Sequence, residues 1–353
     1  MILTSVPLVF HRMTHNAINA GIKYLIYSAS GAICALFGVV FFYKFGASLV
    51  FELGGTLDKT LSLGNKNLLL LVVFVSVIGF GTIAGMYPLH AWLNTAYPMA
   101  PTPASAILSG VITNAGIFCV IRVVYFTVGV DSLRGTWVQY TWIILALITI
   151  IIGSVMAYRE KLLKKSLAYW TISQVSHGML GLAIMNNTAV NGALLHVIFQ
   201  SVIIIGLFLT SGAFSYKIGL QNSEDLKSIG RRMPITMFCF TLLSLALIGF
   251  PPMLGFMSKW YLALGALESN LGLLSWIAPA VLLLNTLLTA GYLLQIIIAS
   301  YFSKNDFDTN ILPDIADPEK TMLIPIFILA SVSVILGINA SPIIDAVKSF
   351  IFL

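Results

Sequence analysis

The chain alternates long apolar runs with short polar breaks. Nine runs come close to or exceed the roughly 20 residues that a helix needs to cross the hydrocarbon of a bilayer. They fall near 18–42, 67–88, 103–128, 137–158, 167–185, 190–216, 234–267, 272–302 and 321–339. The opening run, MILTSVPLVFH, is too short to span and lacks the basic start of a signal peptide; it reads as the tail end of a helix. Two runs carry their own interruptions. The 234–267 stretch is too long for one straight span and holds Gly249, Pro251, Pro252 and Gly255 in its middle. Consecutive prolines remove two backbone donors and disfavour helix just before them. In 79–103, Gly79, Gly81, Gly85 and Pro88 precede His90, and Pro98, Pro101 and Pro103 follow it. Non-helical backbone at membrane depth persists only inside protein or beside a water-filled cavity. The pattern predicts an all-α, polytopic transmembrane bundle, one membrane domain over 1–353. Its two broken helices in corresponding halves are the mark of an inverted-repeat transporter.

Composition agrees with this reading. Apolar residues make up 58% and charged residues 9% of the chain, with a mean hydropathy of +0.96. A soluble domain carries roughly a quarter charged residues, so this chain cannot cover a water-facing surface but can cover a lipid-facing one. The net charge of +6 does not point to nucleic acid, because the basic residues sit in short loops, where they set topology. Arg12, Lys23, Arg159, Lys161, Lys164, Lys165, Lys217, Lys227, Arg231, Arg232, Lys304 and Lys320 gather on one side, against Lys44, Lys59, Lys66, Arg134 and Lys348 on the other. The first side, with loops 217–233 and 304–320, is expected to be cytoplasmic. The largest loop on the far side is 43–66. Cys34, Cys119 and Cys239 lie within apolar runs without pairing or metal spacing. No dinucleotide fingerprint, iron–sulfur cysteine cluster or haem pattern is present, so no redox site, metal or cofactor is expected in the chain. Trp92, Trp170 and Trp276 read as an interface belt.

Polar groups inside the spans are few and costly, which makes each a functional candidate. Lys259, in GFPPMLGFMSKW, falls near mid-depth about one turn after Gly255. His196 and Gln200 share a helix face in GALLHVIFQ, and Gln174 and His177 share one in SQVSHG. Asn114 sits mid-span, His90 follows the break at Pro88, and Arg122 lies nearer a helix end. None of the acidic residues falls inside a span, so Lys259 has no intramembrane carboxylate partner within the chain. A lysine deprived of both water and a counter-ion behaves as a proton-exchanging group rather than a fixed charge, and neutral histidines relay protons. Lys259, His196, His177 and Gln174 are expected to line a hydrated proton path. The plainer alternative for a mid-span His or Asn is a helix–helix hydrogen bond, which is the expectation for Asn114.

The run GFGTIAGMYPLHAWLNTAYPMAPTPASAILSGVITNAGIF, followed in order by KKSLAYWTISQ, GALLHVIFQ, LKSIGRRMP and LIGFPPMLGFMSKW, resembles the proton-translocating, antiporter-like membrane subunits. That family includes the large membrane subunits of respiratory complex I, the Mrp-type cation/proton antiporters and the membrane arms of energy-converting hydrogenases. The resemblance implies a fourteen-helix fold of two inverted five-helix repeats, each with one broken helix. On this chain it assigns 1–128 to the rest of the first repeat, 137–302 to the second and 321–339 to a terminal helix. About four and a half helices before MILTSV are missing from the match, and the family's glutamate would fall just before Met1.

The same resemblance exposes departures. Ile83 stands where the family carries a lysine in its first broken helix, Asn114 and Ile204 stand at two further lysine positions, and Thr95 replaces a frequent acidic residue. His90, His196 and Lys259 are kept. The resemblance therefore implies a proton- or cation-conducting subunit of a multi-subunit complex in a bacterial or archaeal cytoplasmic membrane. The alternatives are a non-pumping structural subunit or a truncated remnant. Any dehydrogenase or hydrogenase activity would belong to the complex.

Overall fold

The computed structural model describes residues 2–11, 13–46, 54–57, 66–219, 222–303 and 316–349. Met1, Arg12, Lys59, Lys304 and most of the 43–66 and 304–320 loops lie outside the described residues. The described chain is helical, with only isolated β-bridges. In chain order the helices are α1 (Ile2–Phe10), α2 (His15–Phe45), α3 (Lys66–Ala84), α4 (Leu93–Met99), α5 (Thr102–Val128), α6 (Trp137–Arg159), α7 (Leu163–Ile184), α8 (Asn187–Ile218), α9 (Pro234–Ile248), α10 (Leu254–Glu268), α11 (Leu274–Phe302), α12 (Lys320–Ile338) and α13 (Ser341–Ser349). Seven of them, α2, α3, α5, α6, α8, α11 and α12, are long and apolar enough to cross a membrane.

Helix α7 is long enough as well, but its Ser, Thr, Gln and His residues lower its hydropathy. Its surroundings explain how it carries them: every residue from Ser166 to Ile184 is buried, packed between α6, α8 and α10. A helix hidden on all sides can hold polar groups if each finds a partner. At its end Tyr125 Oη donates to the Leu182 carbonyl at 2.8 Å, Gln139 Nε2 to those of Ala183 and Ile184, and Arg134 Nη2 to that of Met185 at 2.9 Å. These bonds satisfy the carbonyls that a helix end leaves open. By contrast α2 and α12 are peripheral and show apolar faces such as Ile33, Leu36, Phe327 and Ile335 to the outside.

The two interrupted stretches share one backbone pattern. Helix α3 stops at Gly85, in the left-handed region at φ +89°, whose N–H donates to the Gly81 and Thr82 carbonyls while Met86 N–H reaches back to Gly81 at 2.8 Å. Helix α9 stops at Gly249, also at φ +89°, whose N–H donates to Leu245 and Ala246 while Phe250 N–H reaches Leu245 at 3.0 Å. This is the Schellman ending, in which glycine tolerates the left-handed turn. Leu89 N–H then bonds the Met86 carbonyl, as Met253 N–H bonds that of Phe250. Pro88 and Pro252 each sit three residues past the glycine, Pro251 two past it. Gly255 is not in the gap, as the sequence suggested; it lies in the first turn of α10. A Cβ there would come within 2.0 Å of the Ala246 carbonyl oxygen, so its bare Cα lets α10 tuck against the end of α9.

The tryptophans correct the sequence reading. Trp276 is exposed, but Trp92 and Trp170 are buried in the core. Trp92 Nε1 donates to the Thr82 carbonyl at 2.9 Å, in the last turn of α3, and Trp170 packs against Tyr292. Each ring is held by helices on all sides, so neither reaches an interface.

Candidate functional site

Lys259, in the second turn of α10, is the one charged side chain among the buried described residues. Its ammonium donates to the carbonyls of Leu247 at 2.8 Å and Ile248 at 3.0 Å. Those carbonyls end α9 and are left open by the break, and a helix C-terminus carries partial negative charge. The backbone thus stands where a carboxylate would: none of the ion pairs among the described residues, Arg134–Asp131, Lys161–Glu224 and Lys165–Glu160, involves Lys259. Two of its three N–H donors are engaged, and the third is left for the adjoining space.

That space is a cavity of about 10 Å³ lined by Gln174, His196, Gln200, Ser258 and Lys259, with apolar walls from Phe199, Ile203 and Leu247. Its volume matches the threshold of ~10–15 Å³ for a single water. Gln200 is buried, and neither its Oε1 nor its Nε2 has a hydrogen-bond partner. His196 is held at both ring nitrogens: Nε2 lies 3.0 Å from the Gln174 carbonyl and Nδ1 lies 3.0 Å from Ser258 Oγ. Since a carbonyl only accepts, Nε2 carries the proton in the neutral ring and Nδ1 accepts from the hydroxyl.

His177, which the sequence places with these residues along one polar path, is not among the residues that line the cavity. It stacks on His196, with ring centroids 5.1 Å apart and planes 21° from parallel, and its Nδ1 donates to the Ser173 carbonyl at 2.8 Å. Its Nε2 is buried without a partner. Behind the pair lies a polar knot centred on Asn285 of α11. Asn285 Nδ2 donates to Ser154 Oγ at 2.6 Å and Ser173 Oγ at 2.9 Å, and its Oδ1 accepts from Gln174 Nε2 at 3.4 Å.

Two candidates lie apart from this cluster. Asn114 donates to the Gly110 carbonyl at 2.8 Å and to Ser201 Oγ at 2.7 Å, the helix–helix bond expected of it. It lies two residues past the π-helical stretch Leu108–Ile112 of α5. His90 sits in the gap after α3 with its ring beside Tyr87, and its Nδ1 is buried and unpartnered. Arg122 lines a separate apolar groove of about 780 Å³ between α5, α8 and α13. Among the departures, Ile204 is buried within the core, Ile83 packs against the same core, and Thr95 Oγ1 bonds back to the Trp92 carbonyl. The two breaks differ after their shared start: α4 begins eight residues past Gly85 and α10 five past Gly249, so Thr95 is the third residue of its helix and Lys259 the sixth of its own.

Asn285 and Ser258 were missed in the sequence. Asn285, in LLLNTLLT, gives the same signal as Asn114: an amide in an apolar run. Ser258 gives none, because serines are common in such helices.

The chain resembles known proteins along most of its length. It is 36% identical over 287 residues to NADH-quinone oxidoreductase subunit N of Desulforudis audaxviator, covering 81% of this chain and 56% of that protein. It is 28% identical over 361 residues to hydrogenase-4 component B of Escherichia coli, covering 97% of this chain and 52% of that protein. The chain thus spans about half the length of these curated relatives. Its fold matches a chain of the Mrp complex from Dietzia sp. DQ12-45-1b with a TM-score of 0.84 at 19% identity, covering 99% of this chain and 71% of that one. Residues 1–289 match the family described as the membrane part of NADH:quinone oxidoreductase and Mrp antiporters. The chain is a multi-pass membrane protein and belongs to the NADH:quinone oxidoreductase/Mrp antiporter membrane family.

Proposed function

We propose that this chain conducts protons as a membrane subunit of a multi-subunit complex, with Lys259 as its key protonatable group and His196 as the next station. The observation that carries this reading is the placement of Lys259. It is a lone buried ammonium on the open carbonyls of a broken helix, facing a water-sized cavity shared with Gln200 and His196. A charge so placed in a bilayer is costly, and the cavity gives it a polar outlet. The relatives' names, subunits and components of larger assemblies, support a complex as its setting. Gln174, Gln200 and His177 flank the route, while His90 and Asn114 serve the first half. Pro88, Pro251, Pro252 and Gly255 shape the breaks.

In this reading residues 1–128 are the remainder of one repeat, 137–302 the second, and 321–339 a terminal helix. The end of the bundle bearing loops 217–233 and 304–320 faces the cytoplasm. The bilayer is a bacterial or archaeal cytoplasmic membrane, and sodium is the alternative cargo.

Lys259→Ala tests the proposal in sealed membrane vesicles carrying the assembled complex. A potassium diffusion potential drives proton uptake, read by an entrapped pH dye. Losing a positioned proton-transfer group is expected to slow uptake about a hundredfold, with assembly intact. Uptake at the parental rate would sink the proposal. Buried Ile204, and Ile83 packed on the core, favour a second reading, a structural subunit that conducts nothing. Selective loss of uptake in His196→Ala rules that reading out.

A further inference from the structure

We propose that Ser258 is the hydroxyl relay through which protons pass between the Lys259 cavity and His196; this rests on the proton-conducting reading above. His196 lines the cavity, but neither ring nitrogen is open to it. Nε2–H is committed to the Gln174 carbonyl at 3.0 Å. The lone pair on Nδ1 is met by Ser258 Oγ at 3.0 Å. A proton arriving from Lys259 therefore reaches the imidazole through the serine oxygen.

Ser258 is built for this position. It is fully buried, lines the cavity beside Lys259, and precedes it on α10. Its oxygen has two acceptors within reach: His196 Nδ1 and, at 3.3 Å, the Gly255 carbonyl. A hydroxyl carries one proton and accepts at two lone pairs, so it bonds one acceptor at a time while receiving a bond from the cavity.

The step balances without a further reactant. The Lys259 ammonium gives a proton to a water in the cavity, and that water passes one of its own to Ser258 Oγ. The original hydroxyl proton moves to His196 Nδ1 as its O–H bond breaks. Lysine ends neutral, water and serine end unchanged, and His196 ends as an imidazolium donating from both nitrogens, to Ser258 Oγ and the Gln174 carbonyl. The serine hydroxyl then turns to the Gly255 carbonyl. That rotation ties the charge on His196 to the first turn of α10, beside the break. Gln200, with both amide atoms unpartnered at the same cavity, supplies the donor and acceptor that hold the water.

The test uses Ser258→Ala, Ser258→Thr and Ser258→Gly beside Lys259→Ala, in the vesicle assay already described, with assembly followed by native gel. Ser258→Ala is expected to cut uptake at least about tenfold in an assembled complex. Ser258→Thr keeps the hydroxyl, and Ser258→Gly opens room for a second water in its place, so one of them restores uptake even if threonine packs poorly. Parental uptake in Ser258→Ala, with Lys259→Ala inactive, overturns the relay and leaves the proton-conducting reading standing. Equal loss in all three Ser258 variants also overturns it, since the residue would then only pack. Parental uptake in Lys259→Ala removes both.

Discussion

His177 and His196 stack at 5.1 Å, yet no hydrogen bond joins them. Each is fixed instead by a backbone carbonyl of α7, Ser173 for His177 Nδ1 and Gln174 for His196 Nε2. Consecutive carbonyls on one helix therefore impose opposite tautomers on two stacked rings. A stack carries no proton by itself, so the pair is not a wire. The free lone pair of His196, on Nδ1, meets Ser258 Oγ, and that of His177, on Nε2, is buried without a partner.

The first prediction follows directly. Nitrogen-15 spectra of histidine-labelled protein at neutral pH should show His177 protonated at Nδ1 and His196 at Nε2. His177→Phe and His196→Phe assign the signals while keeping an aromatic ring in place. Finding the same tautomer on both rings would contradict the arrangement of the site.

The second prediction concerns Asn285, whose amide joins α6, α7 and α11 through Ser154, Ser173 and Gln174. Both serine hydroxyls already donate to the Ile150 carbonyl, so they use Asn285 as a donor to their oxygens. Asn285→Leu removes those bonds and leaves Gln174 Nε2 without its partner. Hydrogen bonds between membrane helices are worth about 0.6–1.7 kcal/mol each, so a loss of about 2 kcal/mol is expected. The thermal midpoint of the purified protein in detergent should fall. Ser154→Ala should cost less, because Ser173 still receives the amide. Equal midpoints for Asn285→Leu and the parent would show that the knot does not hold the three helices together.

The bundle was legible in the sequence because bilayer length and hydropathy act on whole segments. Each of the nine expected stretches overlaps a helix, α9 and α10 dividing one of them, and seven of the described helices are long and apolar enough to cross a membrane. Lys259, His196, Gln200 and Gln174 were legible for the same reason: a polar atom in an apolar run is expensive wherever it stands. That these four share a cavity while His177 is turned away was not legible. Helical spacing gives the face of one helix and says nothing of its rotation against the next. The tryptophans failed in the other direction. Trp92 and Trp276 have the same chemistry, and only the tertiary surroundings, with Tyr24 and Tyr97 against the Trp92 ring, make one core and the other surface.

The third prediction tests what separates the Lys259 cavity from the opposite end of α8. There a polar vestibule of about 280 Å³ is lined by Pro98, Met99, Leu162, Lys164, Ser211 and Ser215. From Ser211 to Gln200 the helix rises about 16 Å. The inward face over that length is Phe208, Leu207 and Ile204, all fully buried. Apolar constrictions of this kind exclude water. In a chain with its three cysteines replaced, Ser215→Cys should react with a membrane-impermeant maleimide added from the cytoplasmic side, while Ile204→Cys should stay protected. Replacing Ile204 and Phe208 by serine should bring water to Gln200, seen as reactivity of a cysteine placed at position 200. Rapid labelling of Ile204→Cys would mean that water already crosses the apolar stretch. Labelling of Ser215→Cys only from the outer side would reverse the orientation proposed for the chain.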